Sequence, residues 1–374
     1  MHAVEACRTA ALGGHVEQCD RCAYRRIAYN SCRDRHCPKC QSLAKAKWLE
    51  SQQRNLLPCE YFHVVFTIPE CIAALAFYNQ TVVYNILFRA AAQTLQTIAR
   101  DPRHLGAQIG FLTVLHTWGQ NLLFHPHLHC VVTGGGLSPD GHHWIGCRPG
   151  FFLPVRVLSR LFRRLFLAEL EKAFRRGKLH FFSKVQTLSE PTSFSDLLKQ
   201  ARKAEWVVYA KHPFGGPQQV LDYLGRYTHR VAISNNRLLA IENANVSFRW
   251  RDYRCRNKPK VMTLQADEFI RRFLLHVLPP GFVRIRYYGL LGNRYRSANL
   301  ALCRDLLGVP AVLGELQIQA NDFRVQYELL TGNSLVRCPV CCRGKMMIVE
   351  RLLPTRASPV RITERSVLLA TQSA

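Results

Sequence analysis

Short segments rich in aromatic and β-branched residues recur along the middle of the chain and predict β-strands. Turn-forming residues separate them: Pro69 ends the first segment, residues 134–136 are a run of glycines that ends the third, and Asp140-Gly141 predicts a hairpin turn. The predicted strands are residues 61–68, 109–118, 127–133, 205–210, 237–242, 245–251, 260–264 and 283–287.

Apolar residues spaced three or four positions apart predict helices between these strands. In residues 155–175 they alternate with arginines, which indicates an amphipathic helix, and residues 71–100 also fit a helix. Pro217 suits the first position of a helix that runs to about residue 228, and Asp267 would cap another. The pattern as a whole predicts an α+β fold in which helices flank a central antiparallel sheet.

The two ends of the chain lack this periodicity. The first 57 residues are too few to bury much apolar surface, and beyond about residue 345 no core face is visible, so we expect a poorly ordered tail there. The sequence therefore predicts a small N-terminal domain over residues 1–57, a main domain over 58–310 and a C-terminal extension over 311–374.

Positive charge is the clearest compositional signal. Lysine and arginine number 51 against 25 acidic residues, a net charge of +26 that is spread along the chain. A folded protein this basic attracts nucleic acid, whereas no apolar run is long enough to cross a membrane and no signal peptide begins the chain. We therefore expect a cytoplasmic, nucleoid-associated protein. The basic and aromatic stretch 248–254 is either a clamp for single-stranded DNA or a solvated hairpin.

Fifteen cysteines in an intracellular protein favour metal sites over disulfides. Cys19 and Cys22 form one CxxC motif, Cys37 and Cys40 form a second, and fourteen residues separate the two motifs. This spacing is typical of a tetrahedral structural zinc site, in which each motif directs two thiolates at one ion.

Four further candidate ligands lie close to these motifs in the sequence: Cys7, His15, Cys32 and His36. They either complete a second, interleaved zinc site or surround the first without binding metal. Near the other end of the chain, Cys338-Pro-Val-Cys341 resembles half of a zinc ribbon, but no second pair follows it. The motif is either degenerate or uses Cys342 or Cys303, and the sequence assigns no metal there.

Three histidines alternate in the segment His125-Pro-His127-Leu-His129. On a strand, His127 and His129 project from the same face and could chelate one divalent ion. The alternative is a pair of buried, hydrogen-bonded histidines.

Tyr223 and Tyr227 are four residues apart in the helix predicted after Pro217, so their hydroxyls share one helix face. The same positions also fit an apolar core stripe. Arg226 beside them makes the setting cationic, which favours a phosphate.

Together, these motifs resemble the IS91 family of transposases. The segments that carry the resemblance are residues 12–15, 29–41, 61–69, 125–136, 223–235, 269–279 and 284–289. Because the chain begins close to the zinc motif, we also expect that an upstream segment is absent.

The resemblance implies an HUH endonuclease-like main domain, named for two histidines around a hydrophobic residue. His127 and His129 would bind Mg²⁺ or Mn²⁺, and His63 on the first strand of this domain is the expected third ligand. His116 and Gln120 are the alternative third ligands.

The resemblance also implies that Tyr223 and Tyr227 are nucleophiles of a two-tyrosine enzyme, with Arg226 neutralising phosphate charge. Such enzymes nick and rejoin single-stranded DNA at insertion-sequence ends through a 5′-phosphotyrosine, in rolling-circle transposition. A plasmid replication initiator or relaxase, a non-catalytic zinc DNA-binding protein and a zinc hydrolase are the competing functions. No GxxxxGK[ST] motif is present, so host helicase and replication proteins are candidate partners.

Overall fold

The computed structural model describes residues 2–37, 39–210, 216, 219–220, 223, 225, 232–233, 237–252, 258–309 and 322–355. It divides into two compact units, one formed by Met1–Ala44 together with Arg324–Ala374 and the other by Lys45–Phe323. The two ends of the chain therefore share one unit, whereas the sequence predicted separate regions over 1–57 and 311–374.

Within the described residues, all strand pairs are antiparallel. In chain order they are β1 (Gly14–Cys19), β2 (Arg25–Tyr29), β3 (Tyr61–Thr67), β4 (Gln108–Trp118), β5 (Phe124–Leu137), β6 (Trp144–Gly146), β7 (Val208–Ala210), β8 (Leu238–Glu242), β9 (Asn245–Asp252), β10 (Lys258–Gln265), β11 (Ile285–Gly289) and β12 (Met346–Leu352). The central sheet has the order β11-β4-β5-β3-β7, with β6 paired to β5, and two smaller sheets have the orders β12-β1-β2 and β10-β9-β8.

The helices are α1 (His2–Glu5), α2 (Gln41–Gln53), α3 (Glu70–Tyr78), α4 (Gln80–Arg100), α5 (Val155–Arg175), α6 (Pro191–Lys203), α7 (Ala266–Leu274), α8 (Arg296–Leu306) and α9 (Phe323–Thr331). Two 3₁₀ turns lie at Ala10–Leu12 and Ser183–Ser189. The α+β fold and the helix over 155–175 are confirmed. The helix predicted over 71–100 is two helices, because the chain breaks at Asn79, whose amide donates to the backbone oxygens of Leu75 and His180.

One face of the central sheet packs against α3, α4, α5 and α6 and forms the main hydrophobic core. Phenylalanines from both layers are almost fully buried in it, among them Phe62, Phe66, Phe111, Phe162 and Phe194. The opposite face carries a smaller apolar cluster of Leu49, Tyr61, Leu112, Val114, Val131 and Val220. No helix in the described part of the chain is both long and apolar enough to span a membrane.

Strand β12 lies in the segment that the sequence predicted as a poorly ordered tail. Its residues 346–352 pair with β1, so the prediction is wrong for this stretch, whereas residues 356–374 lie outside the described residues. The reason is that most β12 side chains are exposed. Backbone hydrogen bonds hold the strand, and these leave no apolar pattern in the sequence.

Candidate active site and cysteine clusters

Three histidines converge on the face of the central sheet that the core helices leave uncovered. His127 and His129 alternate along β5, and on β4 His116 lies directly opposite His127 in the strand register. Residues paired across antiparallel strands share a face, so the three rings project together. Their candidate ligand nitrogens all lie within 4.8 Å of one another.

A backbone contact sets the orientation of His127. Its Nδ1 lies 2.6 Å from the backbone oxygen of His125, and because a carbonyl only accepts, Nδ1 must carry the proton. The Nε2 lone pair of His127 is therefore directed elsewhere, and this atom lies 3.0 Å from Nε2 of His129. Ligand atoms at about 2.1 Å from an octahedral ion are about 3.0 Å apart at neighbouring positions.

The electrostatic environment of His127 also suits a metal. Desolvation by the surrounding side chains lowers the pKa of His127 to about 4. The ring is therefore neutral near pH 7, and the neutral imidazole is the form that binds metal ions. The three histidines fit a divalent cation in geometry, and His127 also fits one in its protonation state.

Tyr223 lies on the far side of the His129 ring. Its hydroxyl is 2.7 Å from Nδ1 of His129 and 2.6 Å from Nε2 of His63, while His63 Nε2 and His129 Nδ1 are 2.8 Å apart. The ring of His129 therefore contacts the Tyr223 hydroxyl through Nδ1 and His127 through Nε2.

Helical residues around Tyr223 place it over the sheet. Val220, which is fully buried, packs in the apolar cluster that includes Leu49 and Leu112. A Cβ on Gly225 would lie 3.1 Å from Leu49, so the small residue permits close approach of this turn to α2. Tyr227 and Arg226, the other two predicted catalytic residues, lie outside the described residues.

The predicted third metal ligand, His63, lies outside the group of three histidines, which His116 completes. On β3, His63 pairs with Val131, which lies beyond His129 and away from His127. The sequence indicates that both residues are on strands, but it does not give the strand register, which determines which of the two lies opposite His127. Gln120, the other alternative, lies in the turn between β4 and β5.

The four cysteines predicted to share one zinc ion lie in two different clusters. Cys37 and Cys40 group with Cys7 and Cys32, whereas Cys19 and Cys22 group with residues near the other end of the chain. Sulfur ligands at 2.3 Å around a tetrahedral ion are about 3.8 Å apart, and Sγ of Cys32 lies 3.8 Å from Sγ of Cys40. This first cluster therefore has the dimensions of a Cys₄ zinc site.

The β1–β2 hairpin explains this division. Cys19 is the last residue of β1 and lies at the hairpin turn. At the open end of the hairpin, the backbone N–H of Arg8 donates a hydrogen bond to the backbone oxygen of Asn30, next to Cys7 and Cys32. Six residues of strand span about 17 Å, too far for thiols at the two ends to bind one ion. His15 and His36, the remaining candidate ligands, contact the carboxylates of Glu17 and Asp34.

Comparisons with known proteins relate two regions of this chain to transposases. Residues 1–68 match the family model described as a transposase zinc-binding domain, of the IS91 type. Residues 110–298, which include the three histidines and Tyr223, match the family model described as "Putative transposase". No solved structure matches the chain significantly.

Two curated proteins are similar over most of their length. The chain is 67% identical over 351 residues to "Putative transposase y4qJ" of Sinorhizobium fredii (strain NBRC 101917 / NGR234), covering 94% of this chain and 88% of that protein. It is 30% identical over 295 residues to "Transposase for insertion sequence element IS801" of Pseudomonas savastanoi pv. phaseolicola, covering 77% and 68%. The chain therefore belongs to the IS91 family of transposases.

Proposed function

We propose that this chain nicks and rejoins single-stranded DNA at insertion-sequence ends through a covalent 5′-phosphotyrosine, in rolling-circle transposition. One observation carries the proposal. The Tyr223 hydroxyl lies 2.7 Å from Nδ1 of His129, whose Nε2 lies 3.0 Å from Nε2 of His127. The hydroxyl is therefore placed next to a histidine that we propose as a metal ligand, which is where a nucleophile for a metal-bound phosphate has to lie.

Within this proposal, His116, His127 and His129 hold the catalytic divalent ion. Mg²⁺ or Mn²⁺ bound there would polarise the scissile phosphate and stabilise the leaving oxygen. Because magnesium prefers oxygen ligands and all three residues supply nitrogen, we expect Mn²⁺ to bind more tightly.

The reaction at the tyrosine is balanced without another reactant. The Tyr223 oxygen bonds to phosphorus as the bond from phosphorus to the 3′ oxygen breaks, and the phenol loses a proton while the 3′ oxygen gains one. The result is a 5′-phosphotyrosine and a free 3′-hydroxyl. Rejoining is the reverse attack by a 3′-hydroxyl, so no ATP is needed.

The three-stranded sheet β10-β9-β8 offers a surface for the DNA backbone. Side chains alternate along β9: Phe248 is fully buried and Trp250 packs in the same apolar cluster, whereas Arg249 and Arg251 are exposed. Phe248 is therefore unavailable for stacking on bases. The two arginines are available to contact phosphates, which supports binding through charge.

The decisive experiment looks for the covalent intermediate. Labelled single-stranded oligonucleotides tiled across the flanks of the gene are incubated with the protein and Mn²⁺, and adducts are resolved on a denaturing gel. We expect a protein–DNA adduct that is absent from the Tyr223→Phe/Tyr227→Phe double variant. Tyr295→Phe is the matched control. Because Tyr295 is 59% exposed and has no role in the proposed reaction, we expect this variant to form the adduct as the wild type does.

The same gel separates the competing functions. A non-catalytic DNA-binding protein would form no adduct, and a zinc hydrolase would cut without retaining DNA. An adduct that persists in the double variant would place the nucleophile elsewhere and contradict the proposal.

A further inference from the structure

We propose that this chain binds a second structural zinc ion through Cys19, Cys22, Cys338 and Cys341. The matched zinc-binding domain ends at residue 68 and therefore contains only two of these four cysteines. The other two come from the CxxC motif near the end of the chain. The site stands independently of the chemistry proposed for the histidines and Tyr223.

The thiol geometry is that of a tetrahedral metal site. The four sulfur atoms all lie within 4.8 Å of one another. Sγ of Cys22 lies 3.7 Å from Sγ of Cys338, and Sγ of Cys19 lies 3.7 Å from Sγ of Cys341. These distances match the separation of about 3.8 Å around one zinc ion and far exceed the roughly 2.05 Å of a disulfide bond.

Both CxxC motifs direct backbone N–H groups at their sulfur atoms. The N–H groups of Arg21 and Cys22 donate to Sγ of Cys19 at 3.4 and 3.5 Å, and that of Gly344 donates to Sγ of Cys341 at 3.3 Å. Donors placed in this way stabilise the negative charge of thiolates, which is the form that binds zinc.

Backbone contacts, independent of any ion, bring the Cys19–Cys22 motif next to the Cys338–Cys341 motif. In the register of β1 and β12, Cys19 pairs with Met346, so the segment that precedes β12 reaches the hairpin turn. There the Asp20 N–H donates to the Lys345 oxygen at 3.1 Å, and the Lys345 N–H donates to the Asp20 carboxylate at 2.8 Å.

The fit is tight at Gly344. A Cβ there would lie 2.3 Å from Sγ of Cys19 and 2.6 Å from the Asp20 carboxylate, so no side chain can be accommodated without displacing the thiol. In the same segment, Cys341 belongs to the group of four, whereas the adjacent Cys342 lies outside it. The chain thus distinguishes between adjacent cysteines.

Strand β12 gains little from the hydrophobic effect, and the backbone hydrogen bonds that pair it with β1 are the contacts to which a metal ion would add. Ile348 and Val349 are 60% and 50% exposed. So exposed a strand gains little free energy from the burial of apolar surface. A metal ion that binds only the folded arrangement would add to the stability of the pairing between β1 and β12.

Metal counting on the full-length protein tests the site without DNA. We expect two zinc ions per chain in the wild type, one in Cys338→Ser/Cys341→Ser and one in Cys37→Ser/Cys40→Ser. Cys342→Ser is the matched control and should retain two. One ion in the wild type, or two in Cys338→Ser/Cys341→Ser, would overturn the proposal.

Cobalt substitution covers the case in which the serine variant fails to fold. Histidine is also a zinc ligand, so Cys341→His should keep two metal ions, while the thiolate-to-cobalt absorption falls by about one eighth because seven of eight thiolates remain. An unchanged cobalt spectrum would show that Cys341 is not a ligand and would overturn the proposal. Neither result changes what the adduct experiment shows, so the second zinc site and the proposed phosphotyrosine reaction can be refuted independently of each other.

Discussion

The hydroxyl of Tyr223 lies 2.6 Å from Nε2 of His63, and the same nitrogen lies 2.8 Å from Nδ1 of His129. His63 therefore contacts the proposed nucleophile and a proposed metal ligand at once, without joining the ligand group itself. This position suggests that His63 holds the hydroxyl in place for attack, while His116 helps to hold the ion.

Substitutions at the two histidines should separate these roles. We expect His63→Ala to lower kcat by roughly tenfold to a hundredfold at saturating Mn²⁺, because a misplaced nucleophile reacts slowly. His116→Ala should instead raise the Mn²⁺ concentration needed for half-maximal cleavage. Metal titrations of the cleavage rate measure both effects. A shifted Mn²⁺ requirement in His63→Ala alone would restore His63 as the third ligand.

The two β5 histidines should be indispensable for chemistry but not for DNA binding. We expect His127→Ala and His129→Ala to abolish cleavage, because either change removes a ligand of the ion, while affinity for single-stranded DNA changes less than about threefold. Gel-shift and cleavage assays on one oligonucleotide compare the two activities. His143→Ala, which alters a histidine with a 76% exposed side chain, is the control. Normal cutting by either variant would count against the histidine site.

The exposed arginines of β9 should contribute to the salt dependence of DNA binding. If Arg249 and Arg251 each neutralise one phosphate, the double alanine variant should reduce the slope of log K against log salt by about 1.4 for a single strand. Fluorescence anisotropy at several salt concentrations gives the slope. Arg103→Ala, which removes an arginine already paired with Asp101, should leave it unchanged. Equal slopes for the wild type and the Arg249/Arg251 variant would show that the DNA lies elsewhere.

Gly344→Ala should weaken the second cysteine cluster, because the added Cβ would overlap Sγ of Cys19. We expect faster zinc loss to a chelator and a cost of about 1–3 kcal/mol in the free energy of unfolding, as for other overpacked sites. Gly146→Ala is the matched control, since a Cβ there meets no atom within 4 Å. Equal rates of zinc release from the two variants would contradict the packing described around Gly344.

Local patterns in the sequence predicted most elements of the larger unit. Strands β3 and β4 are buried along almost their whole length and form runs rich in aromatic and β-branched residues, whereas α5 buries one face and shows helical periodicity, so both kinds of element are visible in the sequence. That His127 and His129 project from the same face also follows from the alternation of side chains along a single strand. Each of these features depends on residues that are close in sequence.

Features that depend on distant pairing could not be predicted in the same way. The choice between His63 and His116 depends on strand register, and the partners of Cys19 depend on a strand more than three hundred residues away. The only sequence signal for the latter was the motif Cys338-Pro-Val-Cys341 itself, which has no local partner. Strand β12 gave no signal because its side chains are mostly exposed.

The pairing of β1 with β12 has a consequence for biosynthesis. Cys19 and Cys341 are 322 residues apart, and at about 5–20 residues per second a ribosome needs roughly 15–65 s to travel between their codons. During that interval the thiols of Cys19 and Cys22 have left the ribosome without their partners and are open to oxidation or to a competing metal. A reading frame interrupted anywhere before codon 338 would yield a chain that keeps the cluster of Cys7, Cys32, Cys37 and Cys40 but lacks both β12 and two of the four proposed ligands of the second ion, so the β1–β2 hairpin would lose its partner strand.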